Sequence, residues 1–188
     1  MMTDKRADIL KATLKLISEH GFHGTPMSMV AKEAGVGAGT IYRYFENKEA
    51  LINELFLEIK AHISQAMLGG FSPEASTEET FRNVWRNTFD FCIRNPQEMF
   101  FLEQYHNSPF LTPETEATTM EYLSPLVGGF QAAIETGEIK EMSFEMLSIF
   151  AYDVTVAFAK RHISGAMIMD EALLEVAIQA CWDAIKAK

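Results

Sequence analysis

The chain has 188 residues, enough for one large domain or a small domain joined to a larger one, and 48% of them are hydrophobic, so a sizeable core can be buried. Two distant cysteines, Cys92 and Cys181, exclude a disulfide framework, and no apolar run reaches the roughly 18 residues of a membrane span. The formal net charge of −10 is unevenly spread: residues 1–48 hold seven Lys and Arg against five Asp and Glu, net +2, and the remainder holds nine against 21, net −12. A polyanion can meet the first part and is repelled by the second. Reduced cysteines and the missing apolar leader predict a cytoplasmic protein.

Apolar positions Ile9, Thr13, Leu16 and Ile17 follow one helical face from Thr3 to His20, and Gly21 supplies a left-handed stop. Thr25-Pro26 predicts the start of a second helix, a capping hydroxyl followed by proline, running to about Ala34 with Met27, Val30, Ala31 and Ala34 inward. A third short helix covers 38–44. A long fourth one begins near Asn47 and carries Leu51, Leu55, Ile59 and Ile63. The segment GGFSPEAS (69–76) reads as a loop. Helical spacing resumes at Phe81, Trp85, Phe89 and Cys92 and stops before Pro96. A shorter helix follows Pro96, and another segment spans 112–136, with a kink or break expected at Pro125 or Gly128-Gly129. Two last helices fall at about 143–163 and 170–187. No segment alternates as a strand, so the expected class is all-α.

Helices two and three, joined by a turn around Gly35-Val36-Gly37, match a helix-turn-helix. With Ile41 and Phe45 inward, a turn of about 100° per residue points Arg43 away from the core, with Gly39 and Thr40 also outward. Tyr42 and Tyr44 fall on the two shoulders. Small residues allow close backbone approach, while hydroxyls and Lys48 reach phosphates.

The stretch ADILKATLKLISEHGFHGTPMSMVAKEAGVGAGTIYRYFENKEALINELF resembles the N-terminal domain of the TetR/AcrR family of transcriptional repressors. The likeness covers about fifty residues; the segment NPQEMFFLEQYHNSPFLTPET is similar to multidrug-responsive regulators of that family. The resemblance implies a helix-turn-helix DNA-binding domain at 1–47 and a larger helical ligand-binding and dimerisation domain at 48–188. It implies DNA contacts from Thr25, Ser28, Gly39, Thr40, Tyr42, Arg43, Tyr44 and Lys48, with Tyr42 and Lys48 on phosphates. Gly37-Ala38-Gly39 offers no long polar side chain, so base reading leans on Arg43, on main chain near Gly39 and on DNA shape. The expected partner is a pseudo-palindromic operator, bound by a homodimer whose reading heads stand about 34–36 Å apart.

In the last helix Leu174, Ile178, Cys181 and Ile185 form a stripe that serves either a two-fold interface or the domain's own core; the weakness of a single half-site favours the interface. Fourteen phenylalanines and eleven methionines suit a pocket for varied apolar ligands. Its candidate lining is Trp85, Phe89, Phe100, Phe101, Tyr105, Phe130, Tyr152 and Phe158. The acids Glu103, Asp90 and Asp153 would favour cationic ligands. No cofactor is expected. The expected function is a ligand-responsive regulator acting as a repressor, with a non-sensing DNA-binding adaptor as the alternative. A helical metal enzyme is the weaker rival, because Glu103-x-x-His106 has no second copy.

Overall fold

The computed structural model describes residues 4–106, 108–110 and 112–188, the side chain of Glu116 excepted. Helix α1 (Lys5–His20) starts where the Asp4 carboxylate accepts from the Arg6 and Ala7 N–H groups, and ends at Gly21 with φ of 69°. With ψ of 175° it leaves the helix in an extended positive-φ conformation that is open essentially to glycine alone. α2 (Met27–Glu33) and α3 (Ala38–Tyr44) follow, separated by a second positive-φ glycine, Gly35. α4 (Lys48–Met67) is started by Asn47, whose side-chain oxygen accepts from Ala50 N at 2.8 Å. Next come α5 (Thr77–Arg94), opened by a Ser76–Glu79 capping box, and α6 (Pro96–His106).

The 112–136 segment is two helices, α7 (Pro113–Tyr122) and α8 (Ser124–Glu135). The break falls at Leu123, so Pro125 occupies the first turn of α8, where its missing N–H has no partner to lose. Gly128 and Gly129 run inside α8 without interrupting it. The expected 143–163 helix is α9 (Phe144–Ser148), a π turn (Ile149–Asp153) and α10 (Val154–Ile163) in unbroken succession. α11 (Glu171–Ile185) closes the chain. The described residues hold no strand, only an isolated antiparallel bridge between Ile139 and Lys186, and no helix among them is long and apolar enough to cross a membrane.

Two compact units form, and they do not divide at 47/48. The first joins residues up to Ala61 with Gln97–Thr119; the second joins His62–Pro96 with Met120–Lys188. In the first unit Ile9, Leu10, Leu16 and Ile17 of α1, Val30 and Ala31 of α2, and Ile41 of α3 are buried, as are Leu51, Ile52, Leu55 and Phe56 of α4. Tyr105 of α6 stacks on Phe56 with ring centroids 3.8 Å apart. These contacts draw most of α6 and most of α4 into the same body as the helix-turn-helix. Burying each large side chain contributes roughly 1.5–3 kcal/mol. In the second unit Phe81, Val84, Trp85, Phe89 and Cys92 of α5 are buried, together with Leu174, Ile178, Trp182 and Ile185 of α11. At the surface, Arg86 of α5 pairs with Glu171 of α11 at 2.8 Å, and Arg82 with Glu175 at 3.1 Å.

The turn between α1 and α2 tolerates no side chain at Gly24, because a Cβ there would lie 2.3 Å from the His20 carbonyl oxygen. Gly24→Ala is expected to lower the thermal midpoint by several degrees, at about 2–4 °C per kcal/mol for a chain of this size, read by circular dichroism.

Candidate nucleic-acid interface and effector residues

α3 has seven residues, too few to be stable alone, and is held by Ile41 and Phe45, both buried to within 2% of full coverage. That anchoring fixes its opposite face. Tyr42 is 55% exposed and Tyr44 46%, Arg43 and Gly39 are exposed, and Thr40 is half-buried. The face presents a guanidinium between two phenols over a backbone that Gly37 and Gly39 leave bare. On α2, Ser28 and Lys32 lie one turn apart and are exposed. Lys32 was not singled out from the sequence, although its i+4 spacing from Ser28 is the signal that finds it. Next to it, the exposed Glu33 pairs with Lys15 at 2.6 Å.

Two expected contacts stand differently. Thr25 is buried, and its hydroxyl donates to the Gly21 carbonyl at 2.9 Å, so it neither caps α2 nor offers its side chain to DNA. Pro26 is the residue before α2, with no side-chain cap. A threonine hydroxyl four residues past a helix's last carbonyls satisfies one of them instead. Lys48 is half-buried; its Nζ donates to the Phe22 carbonyl, and burial pushes the ammonium below the usual lysine range. Phe22 itself packs edge-on to Phe101 at 5.7 Å and against Phe110 at 5.5 Å. The Tyr105 phenol lies 2.7 Å from the Asn53 side-chain amide and 2.9 Å from the Phe110 carbonyl, and burial raises its pKa. The turn before α2, Lys48 and α6 therefore share one packed cluster.

The N-terminal model of bacterial regulatory proteins of the tetR family matches residues 9–55, and the tetracyclin repressor-like C-terminal domain matches residues 77–186. The chain belongs to the TetR family. It is a DNA-binding transcription regulator of the helix-turn-helix type. An HTH-type transcriptional regulator of Haemophilus influenzae is 33% identical over 107 residues, so the chain spans 57% of that relative's length. The fatty acid metabolism regulator protein of Bacillus subtilis is 32% identical over 139 residues, 73% of this chain and 72% of that one. Among solved structures, a TetR family regulator from Marinobacter aquaeolei is 27% identical with a TM-score of 0.93, covering 98% of this chain and 96% of its own. The fold also matches the regulator FadR from Bacillus subtilis in complex with stearoyl-CoA, at 23% identity and a TM-score of 0.73 over 95% of this chain and 98% of that one.

The effector candidates of this TetR-family chain fall into both units. Phe100, Phe101, Glu103 and Tyr105 belong to the first, and Trp85, Phe89, Phe130, Tyr152 and Asp153 to the second. Trp85, Phe101 and Tyr105 are fully buried and Phe89 and Phe130 nearly so, whereas Phe100 is 37% exposed, Asp153 is exposed, and Glu103 and Tyr152 are half-buried. Asp90 lies 3.6 Å from Arg94. The stripe expected to pair across a dimer is buried instead: Leu174, Ile178, Cys181 and Ile185 all face the second unit's own core, because Phe81 and Trp85 of α5 lie against α11. The uncovered side of α11 carries Ala172, Val176 and Ala180, preceded by Ile168; Val176 is 63% exposed and Ile168 65%.

Arg43→Ala is expected to weaken operator binding by about 1–3 kcal/mol per half-site while leaving the thermal midpoint unchanged, read by fluorescence anisotropy and calorimetry. Ile41→Ala is the opposite control: it is expected to cost about 2–5 kcal/mol of stability by opening a cavity beneath α3.

Proposed function

We propose that this TetR-family regulator is a dimeric repressor that leaves its operator when a ligand with a long apolar chain binds the second unit. The observation that carries this reading is the shared cluster of Phe22, Phe101, Phe110, Tyr105 and Lys48, which packs α6 directly beneath the turn that leads into α2. Any shift of α6 must move Phe22, and with it the carbonyl that holds the Lys48 ammonium. An effector has to favour the shifted state by only about 1–3 kcal/mol to weaken operator binding five- to 150-fold.

For ligand class, the apolar reading is better supported than the cationic one. Asp153 is exposed and Asp90 stands near Arg94, so neither acid awaits a buried cation. The fatty acid metabolism regulator named above and the stearoyl-CoA complex of a fold neighbour make a fatty acyl thioester the first class to try. For the dimer, the stripe of Ile168, Ala172, Val176 and Ala180 supports pairing through α11, since exposed branched apolar side chains with small neighbours allow close helix approach.

The operator is found by footprinting on DNA upstream of the protein's own gene, and stearoyl-CoA is then titrated against the bound complex. Release with at least tenfold loss of affinity is expected. A protein that binds stearoyl-CoA but keeps its operator affinity is a non-sensing adaptor, and the repressor reading falls. For the interface, Val176→Glu is expected to shift the protein toward monomer in sedimentation velocity and to weaken binding to the full operator more than to a half-site.

A further inference from the structure

Deep in the second unit the Trp85 indole is fully buried, and among the described residues no hydrogen-bond partner meets its Nε1–H. Buried donors are almost always paired, because water satisfied them before folding. The ring lies between three helices. Phe89 of α5 stacks at 6.1 Å, Phe158 of α10 is at 6.0 Å, and the Cys181 thiol of α11 lies beside the indole N–H, a sulfur being only a weak acceptor. Burial raises the Cys181 thiol, so it stays a neutral, poor partner.

A second irregularity packs against the same helix. The π turn at Ile149–Asp153, where Val154 N–H reaches back to the Ile149 carbonyl, packs against α5. A π turn is a rare insertion that is frequent at functional sites. Ile149 and Met146 at its outer side are about half exposed, so this helix is thinly covered where it is least regular.

We infer that the Trp85 indole N–H is the polar anchor of the effector site, taking the carbonyl oxygen of an otherwise apolar ligand that enters past the π turn. The inference rests on the sensor reading and adds the ligand's polar group to it. The chemistry around the indole selects that group. The buried polar residues described in this unit are Ser64, Thr88 and Thr155, with no buried acidic residue to hold an ammonium and no buried Lys or Arg to hold a carboxylate. A single N–H donor among aromatic rings and a thiol suits a neutral acceptor: an ester, thioester, ketone or amide carbonyl.

The test compares stearoyl-CoA with its S-octadecyl thioether analogue, which keeps the chain and the coenzyme but lacks the carbonyl oxygen. Wild-type protein is expected to bind the thioester about tenfold more tightly in calorimetry, the worth of about one net hydrogen bond. The indole proton of Trp85 should move downfield in NMR with the thioester alone. Trp85→Phe, which keeps an aromatic ring, should abolish the preference while its thermal melt shows a folded chain. Cys181→Ser places a better acceptor beside the indole and should reduce the preference without removing the ring. Equal affinity of wild-type protein for both compounds overturns the anchor and leaves the sensor reading standing. Failure of both compounds to bind overturns the acyl effector and the anchor together.

Discussion

A seven-residue recognition helix cannot hold its own shape, so everything this regulator does with DNA depends on the burial of Ile41 and Phe45 beneath it. Helix propensity contributes little over so short a span. The burial of those two side chains, in a helix that packs against α2, supplies the rigidity that a groove-reading element needs. Because both anchors lie on one side, the other is free to carry Tyr42, Arg43 and Tyr44, and the glycines around them keep the backbone low.

The same dependence explains why α6 belongs to the first unit. The turn before α2 is closed by Phe22, whose ring rests on Phe101 and Phe110, and the turn's carbonyl receives the Lys48 ammonium. Tyr105 ties α6 to Asn53 of α4 and to the backbone after α6. A buried aromatic cluster of this density does not deform gradually. It joins α6 to the turn before α2 through Phe22 and to α4 through Asn53.

Much of this architecture is legible in the chain itself. Ile9, Thr13, Leu16 and Ile17 share a face by spacing, the turn glycines mark the ends of α1 and α2, and α3 covers the predicted 38–44. These are short-range signals, since a helix repeats within four residues and a glycine's freedom is its own. Failures came where a residue had two local options. Thr25 precedes a helix and looks like its cap, yet its hydroxyl turns back to the Gly21 carbonyl, and Pro26 takes the position before α2. Pro125 marks a break, but the chain bends two residues earlier so that the ring falls in a first turn.

The amino-acid order sufficed for the helices, for the inward and outward sides of α3 and for the family of regulators, because each rests on neighbours within a turn or on a contiguous motif. What covers a stripe depends on elements far away in the chain. Leu174, Ile178, Cys181 and Ile185 form the same pattern whether they meet a partner or their own core, and only the placement of α5 against α11 assigns them inward and leaves Val176 outside. Among the described residues the same long-range packing leaves the Trp85 N–H without a hydrogen-bond partner, a fact no spacing of residues encodes.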